Sequence, residues 1–374
     1  MAQVAKDKVE IGVVLQGGGA LGAYEYGAID ALLELMDAID VRGKTVRLVA
    51  VTGVSIGAIN AACMVGASDR TDARKRLSSL WSELSLQTPK FWWDAVRSNL
   101  ALFGVPGFYE PRRDVWNFFN WKNFYDTEPM LETLNKHVDF AALNGSSTVF
   151  VITAVDVSSG ELIRFRNHPN KTEARTEIGP RHIMASGSLP PGFPATAING
   201  KAFWDGGIVD NTPLGDAIDA FSGAEDADSI LIVMNLFRKN RAPPKNMIEV
   251  NDRLDELRYG NRLRQDRKNA DTINRLVRTI DDLATAVPEG SLERLKDGIL
   301  YARQFKVLSE ITDIDLTDPA LMAEAGYPLS SDESGAFRDF SAAGIQRRHD
   351  IGHKLAQLKL RKVFEEHGLL PASH

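Results

Sequence analysis

Apolar residues in the first part of the chain fall into short continuous runs, separated by a stretch with helical spacing. The runs at residues 9–15 and 46–51 predict strands that are covered on both faces. Between them, an amphipathic helix is predicted from five apolar positions: Ile29, Leu32, Leu33, Met36 and Ile39. A second helix is predicted at residues 56–67. Strands that alternate with helices are typical of an α/β fold.

Later segments of the chain first add strands to this pattern and then become helical. Four more strands of one mostly parallel sheet are predicted, two longer and two shorter: residues 148–155, 229–235, 161–166 and 201–204. After Arg238 the apolar runs give way to three long polar helices: residues 247–283, 292–305 and 344–367. The pattern therefore predicts a first domain at residues 8–240 and a helical extension at residues 241–374.

Residues 48–68 contain no charged side chain over 21 positions, a length that could cross a bilayer. The same stretch contains Gly53, Ser55, Gly57 and Asn60, which suit a turn better than a lipid-facing helix. We interpret it as a buried strand, a tight turn and a buried helix.

Composition narrows the function only a little. The 374 residues carry 44 basic and 50 acidic side chains, a net charge of −6, and nothing in that balance suggests a nucleic-acid partner. The one cysteine, Cys63, excludes an intramolecular disulfide and a thiolate metal cluster. Because the first ten residues also lack the pattern of a secretory signal, we expect a cytoplasmic protein.

A glycine-rich loop follows the first predicted strand. Gly17, Gly19 and Gly22 fit the G-x-G-x-x-G spacing of a dinucleotide site. Such a site needs an acidic residue at the end of the second strand, but the strand "VRLVAVTG" ends without one. The dinucleotide interpretation fails at that point.

The second strand instead leads into "GVSIG", residues 53–57, which has the G-x-S-x-G form of a nucleophile elbow. A serine on a sharp strand-to-helix turn has a strained backbone, and its neighbours come very close to each other. Glycine at Gly53 and Gly57 removes the side chains that would collide there. The preceding glycine loop could supply backbone N–H groups for an oxyanion.

Three segments occur in the order of the patatin-like phospholipase family, and the chain resembles that family over about residues 9–213. They are "QGGGALGAYEYGAI", "GVSIGAINAA" and "DGGIVDNTP", and "ASGSLPPGFPATAI" before the last is also similar. The resemblance implies a three-layer α/β/α hydrolase fold with a mostly parallel central sheet. From about Arg241 onward it implies no function, only an extension of a kind seen in some bacterial members.

The family uses a Ser–Asp dyad, and the resemblance implies that Ser55 is the nucleophile and Asp205 the general base. It also implies that the oxyanion loop is Gly17, Gly18 and Gly19, and the elbow itself adds the N–H of Ile56. The remaining elbow and motif glycines are Gly22, Gly53, Gly57, Gly206 and Gly207. Gln16 and Leu21 depart from the family, and Leu21 leaves the loop without a cation.

Residues 91–125 hold 12 of the 30 aromatic side chains. They are expected to form either an aromatic subcore or a lid or wall of an acyl pocket. Residues 238–268 hold ten basic and five acidic residues, which fits a solvated face or attraction to anionic headgroups. The sequence thus predicts a lipid or acyl-ester substrate, no nucleic acid, and a surface that admits peripheral membrane contact.

Three functions remain open: hydrolysis of carboxylic esters of lipids, acyl transfer or thioester cleavage by the same dyad, and a non-catalytic binding module. Direct carboxylate–serine chemistry needs no cofactor and no metal, so none is predicted. His349 and His353 stand at i, i+4 but lack a third ligand, and we interpret them as one polar helix face. His182 is expected to be structural, and Cys63 to be a small core residue.

Overall fold

The structure is a computed structural model. It describes residues 8–87, 100–224, 227–286, 289–302, 305–306, 308–327 and 336–372. Ten strands occur in these residues: β1 Lys8–Leu15, β2 Thr45–Gly53, β3 Glu110–Pro111, β4 Tyr125–Asp126, β5 Val149–Asp156, β6 Leu162–Arg166, β7 Thr196–Ile198, β8 Lys201–Asp205, β9 Ala227–Asn235 and β10 Glu310–Asp315.

Helices flank the strands along most of the described chain. They are α1 Gly22–Asp40, α2 Ile56–Val65, α3 Arg70–Glu83, α4 Glu128–His137, α5 Phe140–Gly145, α6 Pro180–Ser186, α7 Leu214–Ile218, α8 Met247–Ala286, α9 Glu289–Ala302, α10 Pro319–Glu324 and α11 Ala342–Glu366. Several begin at polar caps, as where the side chains of Asp69 and Ser341 accept backbone N–H groups of α3 and α11.

Eight strands form one mixed, mostly parallel sheet in the order β10-β9-β1-β2-β5-β8-β7, with β6 also paired to β5. Strands β10, β9, β1, β2 and β5 are parallel, whereas β6, β8 and β7 run antiparallel to their neighbours. Leu15 at the end of β1 is in register with Gly53 at the end of β2. The glycine loop and the elbow therefore leave the sheet at the same edge, where open α/β sheets bind ligands.

Alternate residues of the central strands face two apolar layers. On one side, Val13 and Leu15 pack in a cluster with α1, α2 and α11. On the other, Val14 and Val233 pack against α7 and α8. The predicted α/β/α arrangement is confirmed, and residues 48–68 form a strand, a turn and a buried helix as predicted. Among the described residues, no helix is long and apolar enough to cross a bilayer.

The predicted helical extension differs from the structure in one element. Residues 310–315 form β10, which joins the central sheet beside β9. Ile311 and Ile314 of this edge strand are buried, and Asp313 pairs with Arg267 of α8. This strand was not predicted, because three of its six residues are acidic and a charged edge strand lacks a continuous apolar run. The division at residue 240 stays a prediction, although α11 shares the apolar layer of α1.

Candidate active site

Ser55 lies on a strained turn between β2 and α2. Its φ of 55° and ψ of −124° are rarely adopted by a residue with a side chain. A Cβ at Gly53 would lie 2.5 Å from the carbonyl oxygen of Gly57, and one at Gly57 would lie 2.7 Å from that of Gln16. Both glycines are therefore required by close backbone approach. The Ser55 side chain itself is half-buried.

Asp205 ends β8 and is buried beside the elbow. Its Oδ1 accepts the N–H of Gly207 at 2.7 Å, and the hydroxyl of Ser55 lies close enough to the carboxyl to lower its pKa. The N–H of Asp205 donates to the carbonyl of Ser188 at 3.0 Å, which fixes the end of the strand. Burial raises the pKa of Asp205 to about 7, although the bonds from Gly207 and Ser55 oppose the rise. The structure thus brings together the two residues that the sequence paired.

The three loop glycines do not have equivalent N–H groups. The N–H of Gly17 donates to Oδ1 of Asn211 at 3.0 Å, so it is already engaged. The N–H groups of Gly18 and Gly19 have no acceptor within the described part of the chain, and neither has that of Ile56 at the start of α2. Three of the four predicted oxyanion donors are therefore free to meet a ligand, and Gly17 is not.

Asn211 and Ser186 hold this arrangement together, and neither was singled out from the sequence. The Asn211 carboxamide also donates to the carbonyl of Gly17 at 3.0 Å, so it pairs with both backbone groups of that residue. The hydroxyl of Ser186 accepts the N–H of Ser55 at 3.0 Å. Both lie within segments that carried the family resemblance, so their place in the motifs was the available signal.

A buried polar network lies behind the glycine loop. Glu25 of α1 accepts the N–H of Gln16 at 2.7 Å and the carboxamide of Asn60 at 3.1 Å. Asn60 in turn accepts the indole N–H of Trp81 at 3.0 Å. Burial raises the pKa of Glu25 well above its usual range, although the bonds from Asn60 and Gln16 oppose the rise. Gln16 also bonds Thr212 through its side chain, so this network joins the loop to the segment after Asp205.

The C-terminal extension borders the site. The carbonyl of Tyr259 on α8 accepts from Asn211 at 3.4 Å, and burial together with the charge of Asp205 raises the pKa of Tyr259 to about 12. Phe337 contacts Gly19 of the loop. A cleft beside the loop is lined from both parts of the chain, by residues that include Leu21, Tyr24, Phe237, Arg241 and Phe337. Ser55 and Asp205 do not line that cleft.

The aromatic insertion contains both a packed part and an exposed part. Five rings pack edge-on or tilted into a subcore: Phe108, Tyr109, Tyr125, Phe193 and Phe340. The N–H of Tyr125 donates to the carbonyl of Gly192 in the loop that follows α6, and a Cβ at Gly187 of that loop would lie 3.9 Å from the Ser55 hydroxyl. The predicted aromatics at residues 91–93 lie outside the described residues.

Four further side chains were predicted to have structural roles: His182, Cys63, His349 and His353. Nδ1 of His182 accepts the N–H of Gly179 at the start of α6, which is a capping role, and burial lowers the pKa of His182. Cys63 is buried in α2, where burial raises the pKa of its thiol to about 12. His349 and His353 do not form an isolated polar face, because acidic residues of α1 lie beside them.

Comparisons with known proteins agree with the motifs. The model of the patatin-like phospholipase family matches residues 13–218. Among solved structures, VipD from Legionella pneumophila is 16% identical with a TM-score of 0.40, over 95% of this chain and 67% of VipD. The ExoU–SpcU complex of the Pseudomonas aeruginosa type III secretion system is 15% identical with a TM-score of 0.29, over 96% and 76%. No curated protein matches. Since the family model covers more than half of the 374 residues, the chain belongs to the patatin-like phospholipase family, whose members are lipid acyl hydrolases.

Proposed function

We propose that this chain hydrolyses carboxylic ester bonds of lipids through an acyl-enzyme on Ser55, with Asp205 as the base. The substrates would be those of a phospholipase A, a lysophospholipase or a lipid esterase. The observation that carries the proposal is the placement of the Ser55 hydroxyl beside the buried carboxyl of Asp205, whose pKa it lowers. A base must lie within hydrogen-bond reach of the proton that it removes, and Asp205 does.

In the first half-reaction, Asp205 takes the hydroxyl proton while Oγ of Ser55 attacks the ester carbonyl carbon. The tetrahedral intermediate then expels the alcohol, which receives the proton from Asp205. A carboxyl with a pKa of about 7 suits both transfers, because it gains and loses a proton readily near neutral pH. Water repeats the sequence on the acyl-enzyme and releases the fatty acid.

The negative oxygen of the intermediate needs fixed N–H donors. Gly18, Gly19 and Ile56 are the candidates, because their N–H groups have no other acceptor among the described residues. The bond between Gly17 and Asn211 supports a positioning role for Gly17, since it holds the loop next to Ser55. No side-chain cation is part of this proposal, in line with Leu21 at the position where many members carry a basic residue.

The dyad is tested by Ser55→Ala and Asp205→Asn, assayed with a soluble ester and with phospholipid vesicles. We expect each variant to lose at least about a thousandfold in kcat, because one variant lacks the nucleophile and the other lacks the base. Asp210→Asn is the matched control: Asp210 is also buried and in the same motif, but within the described part of the chain its carboxylate accepts only the N–H of Thr212. It should keep activity within about threefold.

Melting temperatures distinguish a variant that fails to fold from one that folds but is inactive. Asp205→Asn removes a carboxylate whose ionisation is opposed by burial, so above pH 7 this variant should melt no lower than the wild type. A fluorophosphonate probe should label wild-type Ser55 and leave Ser55→Ala unlabelled. Turnover near the wild-type rate in either folded variant would refute the dyad.

Membrane contact is the second part of the proposal. Val115, Trp116, Phe118 and Phe119 project from a short 3₁₀ segment and are 68%, 83%, 56% and 97% exposed. An exposed aromatic patch of this kind suits insertion between lipid headgroups. The basic stretch at residues 238–268 supports this less, because several of its arginines are paired, as Arg241 and Arg253 are with Glu256.

A further inference from the structure

Two acidic residues and two histidines meet where α1 crosses α11, away from Ser55. Asp30 and Glu34 stand at i, i+4 on α1, and His349 and His353 stand at i, i+4 on α11, so each pair shares one helix face. Nε2 of His353 lies 2.9 Å from Oε2 of Glu34, and Nε2 of His349 lies 3.5 Å from Oδ2 of Asp30. Ligand atoms of Asp30, Glu34 and His353 all lie within 4.8 Å of one another.

We propose that these four side chains bind one transition-metal ion, with Zn²⁺ as the best match. Two imidazole nitrogens and two carboxylate oxygens form a donor set that suits zinc. Zinc bonds of 2.0–2.1 Å in a tetrahedral site put neighbouring ligand atoms about 3.4 Å apart. The separations of 2.9 and 3.5 Å between facing ligand atoms bracket that value. Small side-chain rotations would therefore complete the site.

The groups around the four ligands support a metal rather than a simple salt bridge. Nε2 of His349 is buried, and its distance of 3.5 Å from Oδ2 of Asp30 is long for a hydrogen bond, so a metal ion between the two atoms would give both a closer partner. Nδ1 of the same ring lies 3.2 Å from Asp350, and a carboxylate behind a histidine is a common outer support of a metal ligand.

Arg74 of α3 contacts the acidic pair from the other side. It bonds Oδ1 of Asp30 and, at 2.7 Å, Oε1 of Glu34, so it orients both carboxylates with their second oxygens toward α11, where Oε2 of Glu34 also accepts the carboxamide of Gln357 at 3.0 Å. Three carboxylates, those of Asp30, Glu34 and Asp350, lie here beside the single cation of Arg74, and a metal ion would offset part of this excess of acidic groups.

The ion would join the C-terminal helix to the helix that starts at the glycine loop. Asp30 is eight residues past Gly22, about 12 Å along the axis of α1. The site is therefore structural, and its proposal does not depend on the catalytic one. Chelation should lower the melting temperature and leave ester hydrolysis at 25 °C unchanged.

The test uses tag-free, full-length protein that has been stripped with a chelator and then titrated with ZnCl₂ by calorimetry. We expect one Zn²⁺ per chain with micromolar affinity or tighter, and a rise of several degrees in melting temperature. Co²⁺ in place of Zn²⁺ should give the visible absorption of a four-coordinate site. The double variant His349→Gln, His353→Gln should bind Zn²⁺ at least a hundredfold more weakly.

His367→Gln is the matched control, because His367 lies 3.4 Å from Asp228 at the end of the same helix but outside the cluster. It should bind Zn²⁺ like the wild type. If the double histidine variant does not fold, Glu34→Gln replaces it in the zinc titration. Glutamine has nearly the shape of glutamate, so this variant loses one anionic ligand with little change in packing. Wild-type protein without stoichiometric binding, or folded ligand variants that bind as tightly as wild type, would overturn the proposal.

Discussion

Ser55 and Asp205 are both expected to lower the stability of the folded protein. A non-glycine residue at positive φ costs on the order of 1–3 kcal/mol, and a fully buried carboxyl resists ionisation. Both costs fall on residues that lie next to each other in space. Because local rules are expected to fail where function is concentrated, this pairing supports the assignment of the site independently of any motif.

The proton state of Asp205 makes a prediction about pH. The base must be ionised, and burial raises the pKa of Asp205 to about 7, so activity should be lost as the pH falls through about 7. We expect kcat/KM for a soluble ester to decrease about tenfold per pH unit below that point. The profile is measured from pH 5 to 9, with Ser55→Ala as the blank.

His182 provides the control for that profile. It is the histidine of α6, close in sequence to the loop beside Ser55, and burial lowers its pKa, so it also titrates in the acidic range. His182→Gln should leave unchanged the pH midpoint at which kcat/KM decreases on the acidic side of the profile. A midpoint that moves or disappears in His182→Gln would identify the histidine as the base instead.

At the scale of elements, the sequence predicted what depends on local pattern and missed what depends on packing. Strands β1, β2, β5 and β9 are mostly apolar runs, so their positions could be predicted directly. β10 could not, because its burial depends on its pairing with β9 and on its packing against α8 and α11. The elbow serine was predictable from five residues, whereas the bond of Asn211 to Gly17 joins positions 194 residues apart.

The crossing of α1 and α11 is another packing feature that no local pattern revealed. Gly27 of α1 faces the backbone of His349, and Gly352 of α11 faces the backbone of Tyr24, each so closely that a Cβ would collide with a carbonyl group. The two helices therefore touch through their main chains. This contact brings the face of Asp30 and Glu34 next to the histidines.

Gly352→Ala should accordingly destabilise the protein. The added methyl group would force the two helices apart, and overpacking of this kind costs about 1–3 kcal/mol in the free energy of unfolding. The measurement is the midpoint of urea unfolding. Gly298→Ala in α9 is the matched control: nothing lies within 4 Å of its added Cβ, so it should be neutral or stabilise by up to about 1 kcal/mol. Equal effects of the two substitutions would contradict the close crossing.

On the scale of the whole molecule, the C-terminal extension and the aromatic insertion both adjoin the candidate active site. The extension contributes β10 to the sheet, α11 to the apolar layer and Tyr259 to the surroundings of Asp205. The aromatic insertion bonds the loop at Gly192, which continues from the residues beside Ser55. The exposed patch on this insertion is thus connected, through the short strand β4, to the loop that begins beside Ser55.

If that patch enters a lipid surface, removing its rings should weaken binding to membranes more than it affects chemistry. Trp116→Ser with Phe119→Ser deletes two of the most exposed aromatic side chains, each expected to contribute on the order of 1 kcal/mol or more when buried in lipid. Sedimentation with phospholipid vesicles should then show binding at least tenfold weaker. Turnover of a soluble ester should stay within about twofold, because neither ring contacts Ser55 or Asp205.

Leu283→Ser on α8 is the matched control, an apolar side chain that is 58% exposed but outside the insertion, and it should bind vesicles like the wild type. Vesicle binding that is unchanged in the double variant would assign membrane contact to another face, whereas parallel loss of soluble-ester turnover would make the insertion part of the acyl site.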